Sequence, residues 1–280
     1  MPPPPWQDAQ PSGPHAGPGA GQEPQRPGPL DGPGPSDGPG PFDGPDPLDG
    51  PGLFDGLRGV ERRLLPVALP HGLAMAGGHA LRAHGFPACP GEGLAYATAA
   101  ETPLAEAAEE AARTFRGTGL DATVTALTFL TARLHVTAPE TGQGCDVDVL
   151  REALQQPPTR CGDLWVVGLE DAVGLVMRAL HERCLARDLI DIASVAGLYS
   201  FRDLEHLARL HTEGFSPHEL ATRLEFADQI ADEAFEAHGQ APERIVEIRR
   251  FAMSWVEDIK LRRADDGDTD YDDPDLPDID

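Results

Sequence analysis

Two short segments of this sequence combine residue types that could act on phosphate groups. Gly77 and Gly78 stand directly before a helix-prone run. A glycine pair there lets backbone N–H groups approach an anion, which the helix dipole also favours. Asp146 and Asp148 are one residue apart in a strand-like segment, so both carboxylates would share one face of a strand. Such a pair could hold a divalent cation, with Glu92 as a third ligand, and metal-assisted chemistry on phosphates would need such a site.

Each of these features also has an ordinary structural explanation. Asp146 and Asp148 could be the solvent-facing positions of an edge hairpin, which alternate with buried positions by chance. His79, beside the glycine pair, could be a surface residue or a core residue whose ring is hydrogen-bonded. Arg187 and Asp191 have the i, i+4 spacing of a helical salt bridge, which contributes about 0.3 to 0.5 kcal/mol when exposed. Both explanations stay open at these positions.

The elements that would position these residues change in type along the chain. Helix 103–116 is the clearest, because Thr102 can cap it and apolar residues recur at helical spacing. In the first half, the sequence patterns also predict a helix at 78–84, an antiparallel hairpin of 122–136 with 145–150, and a short buried strand at 165–167. In the second half they predict helices at 170–181, 201–211, 217–238 and 242–263. A continuation of the first of these helices to residue 197 stays open. The predicted fold class is α+β: a small mixed-sheet lobe, residues 57–168, followed by an all-α lobe, residues 169–264.

The two ends of the chain differ in composition from the middle. Residues 1–56 are rich in Pro, Gly and Asp and repeat a six-residue phrase from Pro29 onward, and residues 265–280 contain nine Asp. Neither segment can bury a core, so both are predicted to be disordered tails. They carry −7 and −9 of the formal charge of −25, which leaves about −9 for the rest. Nonspecific DNA binding is not expected of such an acidic protein, although a local basic groove is compatible with it.

The cysteines and the N-terminal segment bear on the cellular compartment. The four cysteines are irregularly spaced, and no C-x-x-C pair or zinc-finger histidine accompanies them, so free thiols are expected. The first ten residues have neither a positive nor an apolar region, and no stretch reaches the ~20 apolar residues of a membrane span. The sequence thus predicts a soluble cytoplasmic protein without a membrane partner.

Three segments of the chain resemble a known family. Gly77 to Gly85, Gly-Gly-His-Ala-Leu-Arg-Ala-His-Gly, resembles the opening motif of the nucleotidyltransferase-like proteins of the AbiEii/AbiGii toxin family. The run 145–149, Cys-Asp-Val-Asp-Val, resembles the strand that carries the third carboxylate of that family, with Asp148 at the matching position. A third likeness, to the family's helical motif, is found at Glu170-Asp171 and in the run 186–191, Ala-Arg-Asp-Leu-Ile-Asp.

The chain departs from the family pattern at the metal-binding strand. Members typically carry Asp-x-Asp where this sequence has Gly93, Leu94 and Ala95. Cys89 replaces an arginine, and Val176 stands where a lysine is expected. Removing one group that stabilises a transition state commonly costs about 3 kcal/mol. The resemblance therefore implies a degenerate metal-binding motif and impaired catalysis.

The resemblance also implies a function, partners and a binding site. It predicts a nucleotidyltransferase-fold protein that acts by binding a nucleotide, RNA or another protein, with a nucleoside triphosphate, tRNA or a cognate antitoxin as partners. The implied nucleotide-binding residues are Gly77, Gly78, His79, Arg187 and Asp188.

Two alternative functions stay open. The first is an active Mg²⁺-dependent transferase that binds the metal through Asp146 and Asp148, with Asp148 as the remaining catalytic carboxylate; Mg²⁺ is expected as a cofactor only in this case. The second is a scaffold that acts through its tails.

Overall fold

A mixed seven-stranded sheet organises residues 59–89, 93–161 and 164–265, which are the residues that the computed structural model describes. The strands are β1 (Ala74–Ala76), β2 (Gly93–Thr98), β3 (Asp121–Leu127), β4 (Thr131–Thr137), β5 (Gly144–Arg151), β6 (Thr159–Cys161) and β7 (Leu164–Val166). Their order in the sheet is β3-β4-β5-β2-β1-β7-β6. β2 pairs with β5, and β1 with β7, in parallel; the other neighbours are antiparallel.

Helices precede, interrupt and follow this sheet. They are α1 (Gly59–Leu64), α2 (Gly77–Ala83), α3 (Leu104–Gly117), α4 (Leu169–Arg183), α5 (Ala186–Val195), α6 (Phe201–Arg209), α7 (Pro217–Glu225), a 3-10 turn (Phe226–Gln229), α8 (Asp232–Glu236) and α9 (Pro242–Asp265). The predicted α+β class is thus confirmed, with the sheet first and helices alone after β7. The predicted tails lie outside the described residues, except for Asp265, which ends α9. No helix in the described part of the chain is long and apolar enough to cross a membrane.

The two faces of the central strands have different surroundings. On one face, alternate residues of β4 and β5, such as Leu134 and Val147, are fully buried. The apolar stripe of α3, including Ala111 and Phe115, packs against this side of strands β3, β4 and β5. The opposite positions of β4 and β5 are exposed or half-buried. Because side chains alternate along a strand, the polar residues of these strands collect on the second face.

Several predicted elements are corrected by the structure. Segment 122–136 is two strands, β3 and β4, because the Thr128 hydroxyl accepts the Leu130 and Thr131 N–H groups in a tight turn. β5 pairs with β4 as predicted, but it also pairs with β2 and so lies inside the sheet, which excludes the edge-hairpin explanation of Asp146 and Asp148.

The helical half is more broken than the sequence patterns predicted. A single helix through 170–197 is wrong, because Cys184 takes a left-handed φ of 47° and ends α4. A single helix at 217–238 is also wrong, since the 3-10 turn separates α7 from α8. The strand β1, which leads directly into α2, was not predicted from its three residues.

Candidate functional site

The second face of the sheet forms the floor of a cavity of about 400 Å³. In register, Gly93 of β2 lies opposite Asp146 of β5, and Ala95 lies opposite Asp148. All four residues line the cavity, together with Arg133 of β4. Helices α2, α4 and α5 contribute the walls. The predicted site residues Gly77, Gly78, His79, Asp146, Asp148, Arg187 and Asp188 all line this one cavity. Glu92, the suggested third metal ligand, lies outside the described residues.

The two glycines at the start of α2 are required by their backbone conformation and surroundings. Gly77 turns the chain from β1 into α2 with a φ of +67°, a value that residues with a Cβ rarely adopt. A Cβ on Gly78 would lie 2.5 Å from the carbonyl oxygen of Cys89 and 2.8 Å from Oδ2 of Asp191. The pair therefore allows α2, the Cys89 segment and α5 to meet at the edge of the cavity.

Both aspartates of β5 are paired with cationic or potentially cationic residues of β4. Arg133 donates from Nε to Oδ1 of Asp148 at 2.7 Å and from Nη2 to Oδ2 at 2.9 Å. His135 Nδ1 lies 2.8 Å from Oδ1 of Asp146. The strand register places each pair directly opposite, Arg133 with Asp148 and His135 with Asp146. The hydrogen bonds to Asp148 and the negative charge of that carboxylate raise the pKa of the Arg133 guanidinium, so the guanidinium stays charged.

The α4 and α5 wall supplies three more guanidinium groups. Arg178 pairs with Glu152, at 2.9 and 2.5 Å. Arg183 makes a two-point contact with Asp188, at 3.0 and 2.8 Å. Arg187 is less completely paired, because its Nε lies 3.9 Å from Asp188 and has no hydrogen-bond partner among the described residues. The α5 wall thus presents one guanidinium with donors that remain free for a ligand.

Asp188 and Asp191 on α5 have different roles. Asp188 accepts the Leu185 N–H at 3.0 Å and so caps the start of α5. Asp191 is buried and accepts the Cys89 N–H at 2.5 Å. The predicted salt bridge between Arg187 and Asp191 is therefore wrong, since Arg187 contacts Asp188. Burial, together with the nearby charge of Asp188, raises the pKa of Asp191 to about 8. Asp191 is thus largely protonated at neutral pH.

His79 is the buried imidazole of the cavity wall. It is 3% exposed, and its Nε2 has no hydrogen-bond partner among the described residues. Burial, together with the charge of Arg82, lowers its pKa to about 4. The ring is therefore neutral at pH 7, and its Nε2 can form one hydrogen bond with a ligand. The explanation of His79 as a hydrogen-bonded core residue does not hold at this nitrogen.

Some functional positions were missed, or were weighed differently, in the sequence. Arg133 and Arg178 line the cavity but belong to no motif, and the position of Arg133 opposite Asp148 is set by the pairing of β4 with β5. Val176, where a lysine was expected, lines the cavity with an apolar side chain. Asp171 does not line it. The Asp171 carboxylate instead accepts the N–H groups of Gln155 and Gln156 and contacts His211 at 3.1 Å, a structural role.

The residues on the floor do not fit the divalent metal that the family resemblance implies. β2 contributes no carboxylate, since Gly93 and Ala95 occupy the relevant positions. The two β5 carboxylates are bound by Arg133 and His135. The described residues contain no group of three or more His, Cys, Asp or Glu side chains that could hold a metal ion. A two-metal mechanism needs several carboxylates free to coordinate.

Comparisons with known proteins give distant structural likenesses only. No protein-family model and no curated protein matches the sequence. Among solved structures, JHP933 from Helicobacter pylori aligns with 14% identity over 74% of this chain and 93% of its own, at a TM-score of 0.40. The nucleotidyltransferase toxin MenT4 from Mycobacterium tuberculosis aligns with 18% identity over 70% of this chain and 80% of its own, at a TM-score of 0.46. Likeness at this level does not assign a function.

Proposed function

We propose that this chain is a nucleotidyltransferase-like protein that binds a nucleoside triphosphate in the cavity and no longer carries out metal-dependent nucleotidyl transfer. The observation that carries the proposal is the pairing of Asp146 and Asp148 with His135 and Arg133, opposite Gly93 and Ala95. A catalytic floor would present carboxylates to metal ions. This floor presents carboxylates already paired within the protein.

The rest of the cavity supports binding of a phosphorylated ligand. Its volume of about 400 Å³ is within the range of small-molecule sites. Arg187 offers incompletely paired N–H donors, and His79 offers an orphan ring nitrogen. Polar groups left unsatisfied when buried cost about 1 to 3 kcal/mol each, so a ligand that satisfies them gains affinity. The resemblance of the Gly77–Gly85 segment to the family's opening motif supports a position of the phosphates next to α2.

Calorimetric titration with ATP, CTP, GTP and UTP tests the binding part of the proposal. We expect heat of binding for at least one nucleotide and an affinity loss of tenfold or more in Arg187→Gln. The matched control is Arg113→Gln, which removes the ion pair of an exposed arginine with Glu110 on α3, on the other face of the sheet, and should leave binding unchanged. Absence of heat for all four nucleotides contradicts the proposal.

Incubation with labelled nucleoside triphosphates, magnesium and total tRNA tests the loss of catalysis. We expect no label transfer to RNA or to protein. Transfer that disappears in Asp148→Ala would instead establish the alternative of an active transferase. tRNA and an antitoxin are proposed as partners from the family resemblance alone. A neighbouring reading frame for a small DNA-binding protein would support the antitoxin.

A further inference from the structure

Arg133 binds, on the cavity floor, the two carboxylate oxygens of Asp148 that a metal ion would have to use. Three residues stand at one level across adjacent strands: Arg133 on β4, Asp148 on β5 and Ala95 on β2. The guanidinium donates hydrogen bonds to both carboxylate oxygens of Asp148, and this two-point contact fixes the plane of the guanidinium. Its side chain is 54% exposed and lines the cavity, so it remains accessible to a ligand.

The contact with Asp148 leaves most of the guanidinium donors unused. A guanidinium has five N–H groups, and this contact takes one from Nε and one from Nη2. The remaining N–H groups, including both on Nη1, have no hydrogen-bond partner among the described residues. A guanidinium can bind a carboxylate on one edge and phosphate oxygens on another, because its donors point outward in one plane. Arg133 can thus bridge Asp148 and an anionic ligand, which is what a metal ion does between carboxylate and phosphate.

The charge balance of the floor supports the same conclusion. Two uncompensated aspartates would repel a polyphosphate, and a metal site overcomes this repulsion with the charge of the ion. Here Arg133 offsets the charge of Asp148, and β2 adds no carboxylate. A metal-free polyphosphate can therefore approach without a divalent cation.

We propose that Arg133 takes the place of the divalent cation, so that the cavity binds the polyphosphate part of its ligand in metal-free form. The inference rests on the proposed function and adds the form of ligand that the site selects. Magnesium bound to the ligand competes with Arg133 for the same phosphate oxygens. Binding is therefore weaker with magnesium present.

Inorganic tripolyphosphate and ATP, each titrated in EDTA and in excess magnesium, test this inference. We expect both to bind in EDTA, with affinity at least threefold weaker in magnesium. Arg133→Gln should lose tenfold or more in affinity in EDTA, while the affinity of Arg113→Gln should not change. Binding that occurs only with magnesium would overturn the inference and leave the proposed function intact. If neither ligand binds in either condition, the proposed function itself fails.

Asp148→Asn distinguishes a site that binds metal-free polyphosphate from a metal-dependent site. The asparagine keeps the shape of the side chain, but it removes a negative charge and weakens the two-point contact with Arg133. We expect this variant to bind tripolyphosphate in EDTA at least threefold more tightly than the wild-type protein. In a metal-dependent site the same change removes a ligand of the ion and weakens binding, so unchanged or weaker binding overturns the inference. Far-UV circular dichroism of each variant, together with Arg133→Lys as a charge-preserving version, checks that a lost affinity is not a lost fold.

Discussion

Replacing Asp191 with asparagine should stabilise the folded protein at high pH. The Asp191 carboxyl is buried between α2 and α5, next to Gly78, and accepts one N–H from Cys89. Burial raises its pKa from the ordinary value of 3.8 to about 8, more than the nearby arginines Arg183 and Arg187 lower it. The folded protein therefore holds a proton on Asp191 that the unfolded chain has released.

The direction of the pH effect follows from this difference in proton binding. Below pH 3.8 both states are protonated, and the stabilising contribution is fully present. As the pH rises toward about 8 the unfolded state is favoured progressively, because it no longer binds the proton. Each pH unit in this window costs about 1.4 kcal/mol of unfolding free energy, so the loss between about pH 5 and pH 8 is roughly 4 kcal/mol. Asparagine cannot ionise and avoids this loss, while its side-chain oxygen still accepts the Cys89 N–H.

Urea denaturation of the wild-type protein and Asp191→Asn at several pH values measures the effect. The quantity of interest is the difference in unfolding free energy between the two proteins. Taking this difference cancels the other titrating groups, among them His79, whose pKa is lowered to about 4. This difference should change in favour of asparagine by roughly 4 kcal/mol between pH 5 and pH 8. A difference that stays constant from pH 5 to pH 8 would show that Asp191 is ionised in the folded state across this range.

Other substitutions test the packing of the floor and of the helical half. Gly93→Asp should lower the unfolding free energy by about 1 to 3 kcal/mol in urea denaturation, because a Cβ at this position would lie 2.5 Å from the Asp146 carbonyl oxygen. An unchanged midpoint would contradict this close approach. Glu205→Ala should cost about 3 kcal/mol and lower Tm clearly, since it leaves the Trp255 indole N–H and the Arg262 guanidinium without their buried acceptor. Arg113→Ala, at an exposed arginine paired with Glu110, should change stability by less than about 0.5 kcal/mol, and an equal effect of the Glu205 and Arg113 substitutions would refute the distinction.

The sequence predicted those parts of the fold whose signals are local. Helix α3 was predicted because its apolar residues recur at helical spacing. The break at Cys184 could not be predicted, since a left-handed conformation at a residue with a side chain has no local sequence signal. The three-residue strand β1 is held by its neighbours β2 and β7, which come later in the chain.

The site shows the same division. The sequence contained Gly77 and Gly78 as a motif, and the structure gives each a separate reason to be glycine. It did not contain Arg133 as a motif, because the position of that residue on the floor depends on the pairing of β4 with β5. Pairing register is set by contacts between distant segments, so the partner of Asp148 could not be read from spacing.

The absence of carboxylates on β2 and the side-chain pairs between β4 and β5 are best understood together. Asp146 and Asp148 lie on one face of β5, where two unpaired carboxylates would repel each other. Arg133 and His135, directly opposite on β4, give each carboxylate a hydrogen-bond partner without moving the backbone. At the same time Gly93, lacking a Cβ, lets β2 approach β5 more closely than an aspartate would allow. Placing one aspartate on β2 would therefore create neither a metal site nor better packing, because Arg133 and His135 would still hold the carboxylates of β5.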